Sequence, residues 1–193
     1  MLELGNPLLR AVSAEVGQSD VSSTACLVTD LIDTLHDFQL RTGYGRGIAA
    51  PQIGALVRMV VIDPLPDTVL ASGTVSDVPV TASDRPVTYP LILANPSITY
   101  RSPQTILVWD ACFSFWGFFF QVRRARRVTV DYTDVEGRPQ RLKAEGDLAE
   151  LFQHEIDHLD GVLAIDLIAD PGSLCTLREY EKRTDRRPSG SAG

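Results

Sequence analysis

The stretch "DLAELFQHEIDHLDG", residues 147 to 161, constrains this chain more than any other. Leu148, Leu151, Phe152, Glu155 and Leu159 recur at three- and four-residue steps, so residues 147–159 read as a helix with one face turned inward. The same helix carries chemistry. His154 and His158 stand four residues apart, and side chains at i and i+4 project from one side of a helix, so two ring nitrogens can reach a single ion. Glu155 follows the first histidine, where its carboxylate can reach metal-bound water without being a ligand. The longer pattern His-Glu-x-x-His-x-x-Gly-x-x-His would supply a third histidine, but Ala164 holds that position. A two-histidine site therefore needs a ligand from elsewhere.

His36, the only other histidine, lies on the polar side of a first helix expected over 22–42, among Asp33 and Asp37, and reads as solvated. That helix is marked by Ala25, Val28, Leu31, Ile32, Leu35 and Phe38, with Gly43 as its stop. Glu181 and Asp185 copy the Glu-x-x-x-Asp spacing of another metalloprotease class, yet they sit in "REYEKRTDRR", a run of charges that reads as a solvated face or tail. Cys112 is the strongest candidate. It lies in "WDACFSFWG", between a strand and an aromatic cluster, and a thiolate is a good ligand for iron(II) or zinc. Cys26 and Cys175 read as small buried hydrophobes.

With 193 residues the chain suits one domain with a proper core. A net charge of −7 argues against a general or sequence-specific nucleic-acid binder. No apolar run reaches the length of a membrane span, the N-terminus lacks a signal-peptide layout, and three scattered cysteines make no disulfide framework. A reducing, cytoplasmic setting is expected. Strands are expected at "VRMVVID", "LILANPSITY" and "TILVWDACFSF", and a hairpin at "RRVTVDYTDVEGRPQRLKAE", where Val128, Val130 and Tyr132 alternate and Glu136-Gly137 turns. "GYGRGIAAPQIG" is too rich in glycine and proline to read as regular structure, and 64–90, with five prolines, reads as a surface excursion. The expectation is a single α+β domain, antiparallel or mixed strands packed around the His-Glu-x-x-His helix. It would span residues 1–170, followed by a charged C-terminal segment at 171–193 that ends in a disordered tail.

"GRGIAAPQIG" (45–54), "DACFS" (110–114) and "QHEIDHLDG" (153–161) resemble, in order and spacing, the three signature motifs of the peptide deformylases, with similarity running from "LGNPLLR" through "GVLAIDLI". The resemblance implies a metallo-hydrolase that removes the N-formyl group from N-formylmethionyl peptides at nascent-chain N-termini. It implies one divalent ion on Cys112, His154 and His158, usually iron(II), with zinc, nickel or cobalt as substitutes. Glu155 would take a proton from water on the metal and pass it to the departing amine. Gln52, through its side-chain amide, and the backbone N–H of Phe113 would stabilise the oxyanion. Gly45, Arg46, Gly47 and Ala111 would border the substrate, the glycines letting backbone approach an extended peptide that adds as a strand. Ala49 and Ala50 would leave room for the formyl group. A transient ribosome contact through the locally basic "EKRTDRR" belongs to the same expectation.

The chain departs from the family pattern at several points. Asp110 and Ala111 stand where Glu and Gly are usual, and Asp110 can keep a pair with an arginine such as Arg124. Ala111 would be strained if its backbone required φ > 0. Arg46 lies between two glycines where an apolar residue is usual, and is expected to point to water, to pair with Asp110 or another nearby carboxylate, or to meet a carboxylate or carbonyl of the substrate beyond the formylated residue. The run Phe113, Phe115, Trp116, Phe118, Phe119 and Phe120 cannot all face one interior from a short loop, so some should line the substrate channel or a partner surface. These departures leave two alternatives open: a deformylase-like amidohydrolase acting on another formylated amide, and a weakly active metal-binding homologue.

Overall fold

A computed structural model describes residues 1–17, 24–64, 81–82, 85–86 and 89–184. The expected disordered tail from 185, Asp185 of the Glu-x-x-x-Asp spacing, most of the 64–90 excursion and the start of the expected first helix at 22–23 lie outside the described residues.

Among the described residues two antiparallel sheets carry the fold. The larger contains β1 (Gly47–Ala49), β2 (Met59–Ile62), β3 (Thr81–Ala82), β4 (Arg85–Pro86), β5 (Leu91–Arg101), β8 (Arg127–Thr133) and β9 (Pro139–Glu145), in the order β1-β2-β5-β8-β9-β3-β4. The smaller contains β6 (Thr105–Asp110), β7 (Phe118–Ala125) and β10 (Cys175–Thr176), with β7 in the middle. Among the described residues three α-helices complete the fold: α1 (Ala25–Thr42), α2 (Asp147–Leu159) and α3 (Leu177–Thr184).

Strand β2 shows why helices cover both sides of the large sheet. All four of its residues are buried, and because successive side chains point to opposite faces, each face receives an apolar pair. Val60 and Ile62 join Leu93, Val128, Val130 and Leu142 beneath Phe152, Ile156 and Leu159 of α2. Met59 and Val61 join Leu31 and Leu35 of α1 on the other side. Val128, Val130 and Tyr132 are all buried, as their alternation predicts, and Gly137 turns the β8–β9 hairpin at φ +79°. A third core of Leu9, Phe115, Phe120, Val122 and Leu163 gathers against the small sheet.

Three sequence expectations are corrected. "GIA" within the glycine-rich segment is regular after all, forming β1 against β2, and residues Ala50–Ile53 follow as a 3-10 turn. The aromatic run is not one loop. Phe113–Phe115 form a 3-10 turn, and Phe118 opens β7, a strand hidden in the sequence because both of its faces find apolar partners and no alternation survives. Cys26 is exposed, whereas Cys112 and Cys175 are buried. The C-terminal segment 171–184 lies against the small sheet: Cys175 pairs with Phe119, and Tyr180 of α3 stacks on the Phe119 ring at 4.1 Å.

Gly161 lets the chain reverse after α2. Its φ is +72°, and a Cβ there would lie 2.5 Å from the Arg10 carbonyl oxygen, so the N-terminal segment can cross the helix end only over a glycine. Ser13 N–H donates to Leu159 C=O at 2.8 Å in the same crossing. Gly5 shares the positive φ (+105°) but has open space around it. Gly5→Ala is therefore expected to lose about 1–2 kcal/mol of stability through backbone strain alone, and Gly161→Ala clearly more, read by denaturant unfolding. Equal losses would mean that the crossing at Arg10 is not a close contact.

Candidate active site

The histidines of α2 meet the segment that follows β6, which supplies Cys112 two residues after the strand ends at Asp110. Sγ of Cys112 lies 3.2 Å from His158 Nε2. One donor atom from each of Cys112, His154 and His158 falls within 4.8 Å of the others, and all three residues are buried. Of the third-ligand candidates, the structure brings Cys112 to the histidines. His36 instead meets Asp63 Oδ2 at 2.7 Å, on the exposed side of α1.

The set suits a divalent ion by its chemistry. One thiol sulfur and two imidazole nitrogens converge in a buried site, the donor combination that zinc and iron(II) accept. Burial, reinforced by the neighbouring His154, pushes His158 well below the ordinary histidine range and keeps its ring neutral, the form that ligates. Burial also opposes charge on His154, but Asp110 and then Cys112 outweigh it and hold that ring well above its usual range. Such crowding of proton-holding groups around a thiol is what a bound cation relieves.

Asp110 organises the histidine. Its Oδ1 sits 2.8 Å from His154 Nδ1, leaving Nε2 as the free ligating edge, and its Oδ2 accepts from Arg124 Nη2 at 3.1 Å. Arg124, itself 3% exposed, also donates through Nη1 to Asp157 of α2. Burial works against the Asp110 carboxylate, yet His154 and Arg124 hold its pKa well below the usual range. The shorter arm of Asp110 thus keeps the arginine pair and reaches the histidine as well. Gln153 fixes the same helix to β7: its amide accepts from Ala125 N–H at 3.0 Å and donates to Ala125 C=O at 3.0 Å.

Glu155 is 3% exposed, its Oε2 is buried without a hydrogen-bond partner among the described residues, and burial raises its pKa to about 7. It reaches this place because Gly47 has no side chain; a Cβ there would meet Glu155 Oε1 at 3.0 Å and Ile62 Cδ1 at 2.8 Å. Gly45, at φ +118°, lies flat against the Phe113 ring, which a Cβ would strike at 2.8 Å. Gln39 of α1 holds that segment by donating to Gly45 C=O at 3.1 Å and Asp63 C=O at 2.7 Å. Gln52 accepts from Ala49 N–H at 2.9 Å, while its Nε2 lies 3.5 Å from Cys112 Sγ and 3.4 Å from Ser114 Oγ. Phe113 is the first residue of its 3-10 turn, so its N–H has no acceptor within that turn.

A cavity of about 690 Å³ opens over these groups. Gly45, Arg46, Gly47, Gln52, Ala111 and Phe113 all line it, beside Cys112, His154 and Glu155. Ala49 and Ala50 do not: each is fully buried in a hydrophobic core, so their smallness serves packing. Ala111 has no positive φ, since Asn95 alone among the described non-glycine residues does, and the strain anticipated for Ala111 is absent. The aromatic run divides as its count required: Phe113, Trp116 and Phe119 face the cavity, Phe115 and Phe120 fill a core, and Phe118 is exposed. Sequence reasoning missed Glu150 and Asp147, which line the cavity from the first turn of α2. The signal was present, because Glu150 precedes His154 by four residues and shares its helix face.

The sequence matches the polypeptide deformylase family model over residues 1–173. A peptide deformylase of Bartonella tribocorum is 33% identical over 192 residues, 100% of this chain and 96% of the relative. One from Roseiflexus sp. is 40% identical over 157 residues, 81% of this chain and 77% of the relative. Among solved structures, peptide deformylase from Thermotoga maritima superposes with a TM-score of 0.68 at 30% identity, covering 88% of this chain and 97% of that one. The Synechococcus elongatus protein in complex with actinonin gives 0.68 at 29% identity, covering 97% and 86%. The chain, with its three motifs folded around one buried Cys-His-His cluster, belongs to the peptide deformylase family.

Proposed function

We propose that Cys112, His154 and His158 hold a single divalent ion, iron(II) in the native protein, and that Glu155, Gln52 and the Phe113 N–H carry the remaining chemistry. Family membership makes the chain a metal-dependent hydrolase that removes the formyl group from nascent peptides. The observation that carries the assignment of roles is the convergence of the three donor atoms within 4.8 Å, beside a buried carboxylate with an unpartnered oxygen. When bound, the ion supplies Lewis acidity toward water and the formyl carbonyl.

The chain's own residues then divide the work. Glu155, poised near neutrality by burial, takes a proton from the attacking water and returns it to the amine that leaves. Gln52 is fixed by its oxygen on Ala49 N–H, which turns its NH2 toward Cys112 and the place where the oxyanion forms. The Phe113 amide adds a second donor from the neighbouring turn. β1 ends the large sheet, so its outer edge can receive an extended peptide as a further strand, with Gly45 and Gly47 letting that backbone approach. The cysteines are free, and no described helix is long and apolar enough to cross a membrane. We place the activity in the cytoplasm, where Cys112 stays reduced and nascent N-termini are at hand.

Replacing Cys112, His154 or His158 by Ala is expected to abolish stoichiometric metal binding, measured as metal per chain, because three protein ligands leave no spare. Full occupancy in Cys112→Ala would overturn the assignment. Glu155→Gln should retain the metal and lower kcat by about 10²–10⁴; metal loss would make Glu155 a ligand instead. Asp110→Asn should weaken metal affinity by about 10- to 100-fold in a chelator competition, since the Asp110 charge no longer orients and polarises His154. Unchanged affinity would confine Asp110 to its pair with Arg124.

A further inference from the structure

One wall of the cavity, beside the metal ligands, is an ion pair. Arg46 leaves the backbone between Gly45 and Gly47, crosses to α2, and donates through Nη2 to Glu150 Oε2 and through Nη1 to Asp147 C=O at 3.3 Å. Glu150 is buried, and its side chain lies one turn before His154 on the same face. A carboxylate oxygen of Glu150 and one of Asp110 fall within 4.8 Å of a His154 ring nitrogen and of each other. On the other flank of Arg46, Gly47 lies so near Glu155 that a Cβ there would come within 3.0 Å of its Oε1. The pair is thus held between a ligand of the metal and the acid–base group, and both of its side chains line the cavity. A substrate whose formyl group sits between the Cys112-His154-His158 cluster and Glu155 brings the atoms on its nitrogen into the cavity that this pair lines.

An arginine fork and a carboxylate offer more hydrogen-bonding positions than they use on each other: five donors on one side and about four acceptor sites on the other. The Arg46 side chain keeps 29% of its surface open, so part of that capacity faces the cavity. An unbranched apolar side chain pressed there would remove water from charged groups and return no hydrogen bond. A primary amide of the same length returns two, its NH2 donating to the carboxylate and its carbonyl accepting from the guanidinium. Tyr44, Trp109, Trp116, Phe119 and Tyr180 make much of the remaining lining aromatic, so Arg46 and Glu150 bring a charged pair to a largely apolar cavity beside the ligands.

Resting on the deformylase reading above, we propose that Arg46 and Glu150 are specificity residues selecting formylated substrates whose first side chain both donates and accepts hydrogen bonds. Glutamine is its type and the isosteric methionine a poorer substrate. Sites built to hydrogen-bond a substrate group discriminate strongly against analogues that lack it.

The test compares formyl-Gln-Ala-Ser with formyl-Met-Ala-Ser on the metal-loaded protein and on Arg46→Ile/Glu150→Ile, together with Arg46→Gln/Glu150→Gln as a variant that keeps the wall polar. The expected result is a kcat/KM ratio favouring Gln by about tenfold or more in the unmodified protein, kept in favour of Gln by the Gln/Gln variant and moved toward Met by at least about tenfold in the Ile/Ile variant. A second readout needs neither turnover nor metal: chelator-treated protein should bind the product Gln-Ala-Ser more tightly than Met-Ala-Ser in calorimetry. If formate is released but methionine is equal or better, or if the Ile/Ile variant leaves the ratio unchanged, the inference falls and the deformylase assignment stands. If the fully loaded protein hydrolyses neither peptide, the assignment falls with it. Should the Ile/Ile variant fail to fold, the unmodified protein's kinetic ratio and its calorimetric ratio decide the matter.

Discussion

Helix α2 places Glu150, His154, Glu155 and His158 in the protein interior, on the same rod whose Phe152, Ile156 and Leu159 close the main core. Burying groups of this kind is strongly unfavourable unless each is paired or ligates an ion, and the surrounding structure meets that demand for His154 and Glu150 while Glu155 Oε2 keeps no partner among the described residues. Asp110 answers His154, Arg124 links Asp110 to Asp157, and Arg46 answers Glu150. His158 and Cys112 face each other at 3.2 Å, an approach that acquires its purpose when both donate to a cation. The Asp110 bond to His154 Nδ1 matters most, because it decides which edge of the ring points at Cys112.

Those pairings draw on three separate parts of the chain, and glycine makes their convergence sterically feasible. Gly47 leaves room for Glu155, Gly45 lies against Phe113, and Gly161 lets the N-terminal segment cross the end of α2. Gln39 and Gln153 then pin the glycine segment and the helix by side-chain bonds to backbone groups. The site is thereby held by buried contacts on each side, which favours the preorganised donors and acceptors that hydrolysis of an amide needs.

Much of this was legible in the sequence where local rules dominate. The α2 boundaries and the β8–β9 hairpin follow from periodicity and alternation, the grouping of Cys112 with His154 and His158 follows from the resemblance of three motifs to one family, and the fold brings these three side chains together. What stayed hidden depends on tertiary neighbours. Strand β7 shows no alternation because Phe119 and Phe120 are buried on opposite sides of it, and β1 was masked by glycines whose flexibility is used for close approach. Ala49 and Ala50 looked like room for a substrate but are core residues, since short side chains suit both roles. The partner of Arg46 is more than a hundred residues away in sequence, and only the fold brings Glu150 to it.

Because His154 belongs both to the Cys112-His154-His158 grouping and to an Asp110-Glu150-His154 grouping, the ligand set can be read directly from the metal's coordination shell. X-ray absorption at the edge of the bound metal separates sulfur from lighter neighbours. With one equivalent of zinc, the account predicts one sulfur at about 2.3 Å and two imidazole nitrogens at about 2.0–2.1 Å. A shell with no sulfur, made of oxygen and a single imidazole, would contradict it and move the metal to the carboxylates.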